Sequence, residues 1–110
     1  MPSITITGSD ASTGNLTLSD NGSTDANRGT VVTWIVGPNS GVSAITSITT
    51  DAGSTDVFSP DPSAVGGASK NWQGTVNSAI SVPVTEDYTI GWTDSSGGSH
   101  SFDPRINVNN

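Results

Sequence analysis

Apolar residues in this chain come in short alternating runs, such as Ile4 and Ile6, Leu16 and Leu18, and Tyr88, Ile90 and Trp92, each soon cut off by Gly, Pro, Asn or Asp. A side chain that recurs at every second position lies on one face of a strand, and turn-forming residues at the breaks reverse the chain. The pattern commits the chain to β-structure. A helical alternative lacks material: Leu occurs only at Leu16 and Leu18, Glu only at Glu86 and Lys only at Lys70, so no window offers an amphipathic helix of several turns. Hydrophobic residues make up 31% of the chain, below the usual globular share, yet their regular spacing argues against disorder. Eighteen Ser, fifteen Thr and 13 Gly supply turns and solvent-facing strand positions. At 110 residues the expectation is one domain, 1–110, with a single two-layer core.

Along the chain, Ile4 and Ile6 mark a first strand ended by Gly8-Ser9-Asp10, and Leu16 and Leu18 a second. A long polar loop is expected over 19–28. Thr30 to Val36 is nearly continuous in apolar and β-branched residues, the composition of a central strand, and Gly37-Pro38-Asn39 ends it. Val42 to Thr50 alternates with one change of register, which points to a bulge. From 51 to 70, with Gly53, Pro60, Pro62 and Gly66-Gly67 around the apolar pair Val57-Phe58, the expectation is irregular connection with a short edge strand. Strand character returns at Asn71 to Val76 and is expected to continue through Ile80, Val82 and Val84, with Pro83 suited to an edge. Tyr88, Ile90 and Trp92 share one face. A Gly-rich hairpin connection spans Asp94 to Ser99, and the chain returns from Ser101 to Val108.

Ten acidic against three basic residues give a net charge of −7 and a pI near 4.1. That balance repels a phosphate backbone and an anionic membrane surface alike, so nucleic acid is not expected as a partner. No stretch is apolar enough to insert in a bilayer, and Met1-Pro2-Ser3 leads directly into a strand rather than an export signal. Cysteine is absent, which fits any compartment. The Ser/Thr-rich, Lys-poor surface leans towards an exported or cell-surface bacterial protein.

Gly29-Thr30-Val31-Val32-Thr33-Trp34 resembles the Gly-x-x-Val-x-Trp strand of cupredoxins. Tyr88-Thr89-Ile90-Gly91-Trp92 resembles their penultimate strand, with Trp92 standing where the copper-binding cysteine belongs, and Ile106-Asn107-Val108 resembles the last one. The resemblance implies a two-sheet sandwich. It does not carry the family's electron transfer over, because a blue-copper centre needs a thiolate and two imidazoles. This chain has one His, His100, and the loop after Val36 has none. The chain is similar to copper-free bacterial members of the cupredoxin-like group, and no cofactor is expected.

Three groups of residues are candidates for chemistry. Trp34, Trp72 and Trp92 would form a sugar platform if exposed; Trp34 and Trp92 sit in the most apolar strands and are expected in the core. Trp72, flanked by Asn71 and Gln73, is the better ligand-binding candidate. Asp20, Asn21 and Asp25 concentrate calcium-type oxygen ligands, but they lack the EF-hand spacing, and the same residues make ordinary turns. His100, with Ser99, Ser101 and Asp103 nearby, supplies the residue types of a hydrolytic triad, but strand neighbours point to opposite faces, so no catalytic residue is assigned. Glu86-Asp87 reads as a strand-entry turn, with the Tyr88 hydroxyl tied to the backbone as in a tyrosine corner.

The expected fold is therefore an all-β, two-sheet antiparallel Greek-key sandwich of about seven to nine strands, cupredoxin-like or, alternatively, immunoglobulin-like. Ile4, Ile6, Leu16, Leu18, Val32, Trp34, Val36, Ile48, Val76, Tyr88, Ile90, Trp92, Ile106 and Val108 are expected to supply most of the core. The expected function is a non-catalytic binding or structural module that meets a protein or a glycan, with self-association through sheet edges as one route. A carbohydrate-binding module is the alternative, and a hydrolytic enzyme comes third.

Overall fold

The structure, a computed structural model, describes residues 3–59, 61–66 and 70–110. Met1, Pro2 and the turn markers Pro60 and Gly67 lie outside the described residues. Those described form ten strands and no helix: β1 (Ser3–Ser9), β2 (Leu16–Leu18), β3 (Ser23–Ala26), β4 (Val31–Val36), β5 (Val42–Thr50), β6 (Ser63–Ala64), β7 (Trp72–Thr75), β8 (Val84–Asp94), β9 (Ser99–Phe102) and β10 (Arg105–Val108). The strands make two five-stranded sheets. One runs β2-β1-β4-β7-β6; the other runs β3-β10-β8-β5, with β9 also paired to β8.

Period-two alternation decides the packing. Along β8, Glu86, Tyr88, Ile90 and Trp92 are all buried while the residues between them are less so, and Ile4 and Ile6 do the same on β1. The inner faces meet in one cluster centred on Trp34. Its ring lies 5.6 Å from Phe58 and 5.8 Å from Tyr88, and its Nε1–H donates to the Tyr88 hydroxyl at 3.1 Å. A buried indole or phenol needs such a partner. The predicted core residues are buried except Val36, which packs against the cluster while half-buried, and Ala26, Val42, Ile45, Val57 and Phe58 join them.

Several expectations change. There are ten strands, above the expected count, and two pairings, β1 with β4 and β3 with β10, are parallel. The 19–28 segment is not all loop. Its centre is β3, whose Thr24 and Ala26 face inward against Ile106 and Val108. The signal was weak because the inward residues are a Thr and an Ala, and the partner strand lies some eighty positions away. Ile80 and Val82 are not strand; they sit in the irregular connection before β8 and pack on the core from there. β5 carries two register shifts against β8, between Val42 and Ala44 and between Ile45 and Ser47, where one was expected. Glu86 and Asp87 lie inside β8 rather than in a turn, and the Tyr88 hydroxyl is held by Trp34 rather than by backbone.

Candidate functional site

Three turns gather at one end of the sandwich. The Ser9 hydroxyl, at the end of β1, donates to the Ser40 carbonyl in the β4–β5 turn at 2.6 Å. The Trp92 indole donates to the Gly14 carbonyl in the β1–β2 turn at 3.0 Å, and Val42, which opens β5, pairs with Asp94, the last residue of β8. The turns form because residues able to adopt positive φ stand where needed: Gly14 at 84°, Asn39 at 64°, Gly41 at 80° and Gly97 at 85°.

Beneath these turns lies the place that the resemblance makes the metal position. Trp92 fills it, fully buried. The His100 ring packs on Trp92 with centroids 4.6 Å apart and planes at 35°, and His100 Nε2 lies 2.6 Å from Asp94 Oδ2. The other Asp94 oxygen accepts the backbone N–H groups of Ser96 and Gly98. The hydrogen bond from His100, then that from Gly98, holds the Asp94 carboxyl below the ordinary carboxylate range. Asp94 thus ties the hairpin together and orients the imidazole. The pair has the carboxylate–imidazole half of a hydrolytic apparatus, but among the described residues the ring is bonded only to Asp94, and both neighbouring serines are exposed on the alternate positions. A nucleophile in contact is what hydrolysis would require. Among the described residues no group of three His, Asp or Glu side chains is arranged to hold a metal ion.

Beside the Trp92 end, a cleft of about 440 Å³ opens between the β4–β5 turn and the approach to β7, lined by 36–42 with Lys70 and Asn71. Its polar groups are Asn39, the buried Ser40, Asn71 and the only lysine of the chain. Asn71 Oδ1 accepts the Val36 N–H at 3.1 Å, which fixes the wall nearest β4. The other two residues of the predicted ligand set point elsewhere. Trp72 is opposite Trp34 in the register and packs against the core half-buried. Gln73 is exposed on the other face, where its Nε2 donates to the Thr33 hydroxyl.

The calcium candidates serve separate local bonds. Asp20 Oδ1 accepts the Gly22 N–H at 2.8 Å to close a turn through Asn21, whose φ is 58°. Its Oδ2 is buried with no partner, and burial raises its carboxyl. Asp25 is exposed on β3, where its Oδ1 accepts from Asn107 Nδ2 at 3.2 Å.

Sequence reading missed three features. The Asp94–His100 pair spans a hairpin whose register decides the contact. The cleft joins 36–42 to Lys70, about thirty positions away. The third is Glu86, an acid on the inner face of β8 and only 2% exposed, placed where strict alternation puts a core residue. Its position after Val84 and before Tyr88 was the available signal. No helix among the described residues is long and apolar enough to cross a membrane. Neither protein-family models nor curated proteins give a match to this chain.

Proposed function

We propose that this chain is a non-catalytic recognition module on a copper-free, cupredoxin-like scaffold, and that its contact surface is the cleft beside the β4–β5 turn. The observation that carries this reading is the replacement of a metal-binding position by a packed, hydrogen-bonded Trp92 under a cluster of turns that leaves one roomy cleft open to solvent. A buried indole brings no lone pair to a metal. The turns above it instead present backbone groups, two amides, a hydroxyl and an ammonium, a set suited to hydrogen-bonding a polar partner.

A glycan is the second reading, favoured by the same amide and hydroxyl lining. The hydrolytic reading has His100 beside a carboxylate but no nucleophile in contact. Self-association has β5 as its longest free edge, a strand without charge in a chain of net charge −7. Its two bulges blunt that edge, since bulges twist an edge away from pairing.

The test is a glycan array and a protein pull-down with the chain and its Asn39→Ala/Lys70→Ala variant, together with light scattering at high concentration. Capture that the variant loses supports the cleft. Capture unaffected by the variant moves recognition elsewhere, and hydrolysis of ester or glycoside substrates that His100→Gln abolishes would replace the proposal by an enzyme.

A further inference from the structure

Independently of the cleft, one buried acid has no part in recognition. Glu86 is 2% exposed. Its Oε1 accepts the Val57 N–H at 2.8 Å, and its Oε2 lies 3.1 Å from the Thr50 hydroxyl. Val57 belongs to the segment 51–59, which leaves β5 and crosses the end of the core. That segment is held by few other groups. Phe58 bridges to Val76 and packs on Trp34, Asp51 N–H donates to the Asp87 carbonyl, and Asp87 N–H donates to the Ser54 hydroxyl. Gly74 makes room for the crossing, since a Cβ there would stand 3.0 Å from both Phe58 and Pro62.

We infer that Glu86 is a pH-operated latch: as the neutral acid it fastens the 51–59 segment to the sheet, and on ionising it releases that segment. A neutral carboxyl is fully satisfied by this arrangement, with Oε1 accepting from Val57 and an Oε2–H donating to the Thr50 hydroxyl, which accepts as readily as it donates. The ionised form has no such fit. The groups facing it are all neutral or acidic. Thr50 and Ile48 come from β5, Ile106 stands opposite on β10, and Tyr88 follows on the same face of β8 with its hydroxyl engaged by Trp34. From the crossing segment and just beyond it, Asp56 and Asp61 line the same cavity of about 140 Å³. Arg105 is opposite Asp87, on the alternate exposed positions of β10 and β8. Asp51 is bonded to Thr89.

Burial first, and the charges of Asp56 and Asp61 last, push the Glu86 carboxyl up to about 7 against the hydrogen bonds that favour its charge. The carboxyl of Asp61 is itself raised by its hydrogen bond to Asp56. A rise in pH therefore places a third negative charge beside two others, under a segment whose lifting would expose Val57 and Phe58.

The experiment is amide hydrogen exchange by NMR at pH 5 and pH 7.5, corrected for intrinsic exchange, on the whole chain and on Glu86→Gln. The glutamine amide reproduces the neutral acid. In the parent chain, protection of the Val57 amide should fall by roughly a hundredfold between the two conditions, while the variant stays protected at both. Equal protection of the parent at both pH values, or the same loss in the variant, overturns the inference. If the variant does not fold, the Glu86 carboxyl carbon is followed by NMR in the parent and in Asp56→Asn. A midpoint near neutrality that drops in Asp56→Asn supports the latch, and a midpoint in the ordinary carboxylate range overturns it.

Discussion

Two side chains carry most of the single-residue consequences. Trp92 combines full burial with a hydrogen bond to a carbonyl of a distant turn. Trp92→Phe keeps much of the apolar area but leaves the Gly14 carbonyl without its donor, so it should cost about 1–3 kcal/mol, measured by urea denaturation. The same variant should weaken the protection of the 10–15 turn. Glu86 acts through linkage. Its folded value of about 7 lies above the ordinary 4.5, so its contribution is fully present below pH 4.5 and is lost as pH rises through 7. The stability of the parent relative to Glu86→Gln should therefore fall by roughly 2–3 kcal/mol across that window and level off above it. Paired denaturant curves at pH 4.5, 6 and 8 measure this, and the subtraction removes the opposite trend from Asp94 and Asp10, whose carboxyls are held low. Trp34 and Trp92 were legible as core from strand composition alone. Glu86 was not, because alternation assigns it an inward position while its chemistry assigns it to solvent, and only the Val57 N–H and Thr50 hydroxyl resolve that conflict.

At the scale of elements, the turns between strands are set by close approach as much as by sequence. Gly37 follows β4, donates its N–H to the Ile6 carbonyl, and would place a Cβ 2.6 Å from that same oxygen. Backbone meets backbone there, so no rotamer change relieves the clash. Gly37→Ala should cost about 1–3 kcal/mol, seen as a lowered melting temperature. Gly53, with nothing within 4 Å but φ of 83°, should cost only the left-handed strain of about 1–2 kcal/mol on conversion to Ala. The strongly alternating strands β1, β4, β8 and β10 were readable because apolar and polar residues sit on opposite faces. β3 was hidden by its small inward residues, and β6 is two exposed residues whose strand character comes wholly from pairing with β7. Ile80 and Val82 were misassigned for the converse reason: apolar residues at every second position fill a core equally well from an irregular segment.

For the whole molecule, the end of the sandwich that resembles a metal site is occupied by aromatic packing. Copper(II) should give no intense visible charge-transfer band with this chain, a measurement that a blue colour would decide the other way. The sequence by itself determined the all-β class, the two layers and nearly the whole core, because burying alternate side chains is a local constraint written every two residues. It also determined that cysteine chemistry is absent. Tertiary structure alone decided the parallel pairings of β1 with β4 and β3 with β10, the meeting of Asp94 with His100, the cleft between 36–42 and Lys70, and the neutral acid beneath 51–59. Each of these joins positions separated by a turn or by tens of residues, and their contact depends on strand register, which one-dimensional patterning leaves open wherever both faces of a segment carry small or polar groups.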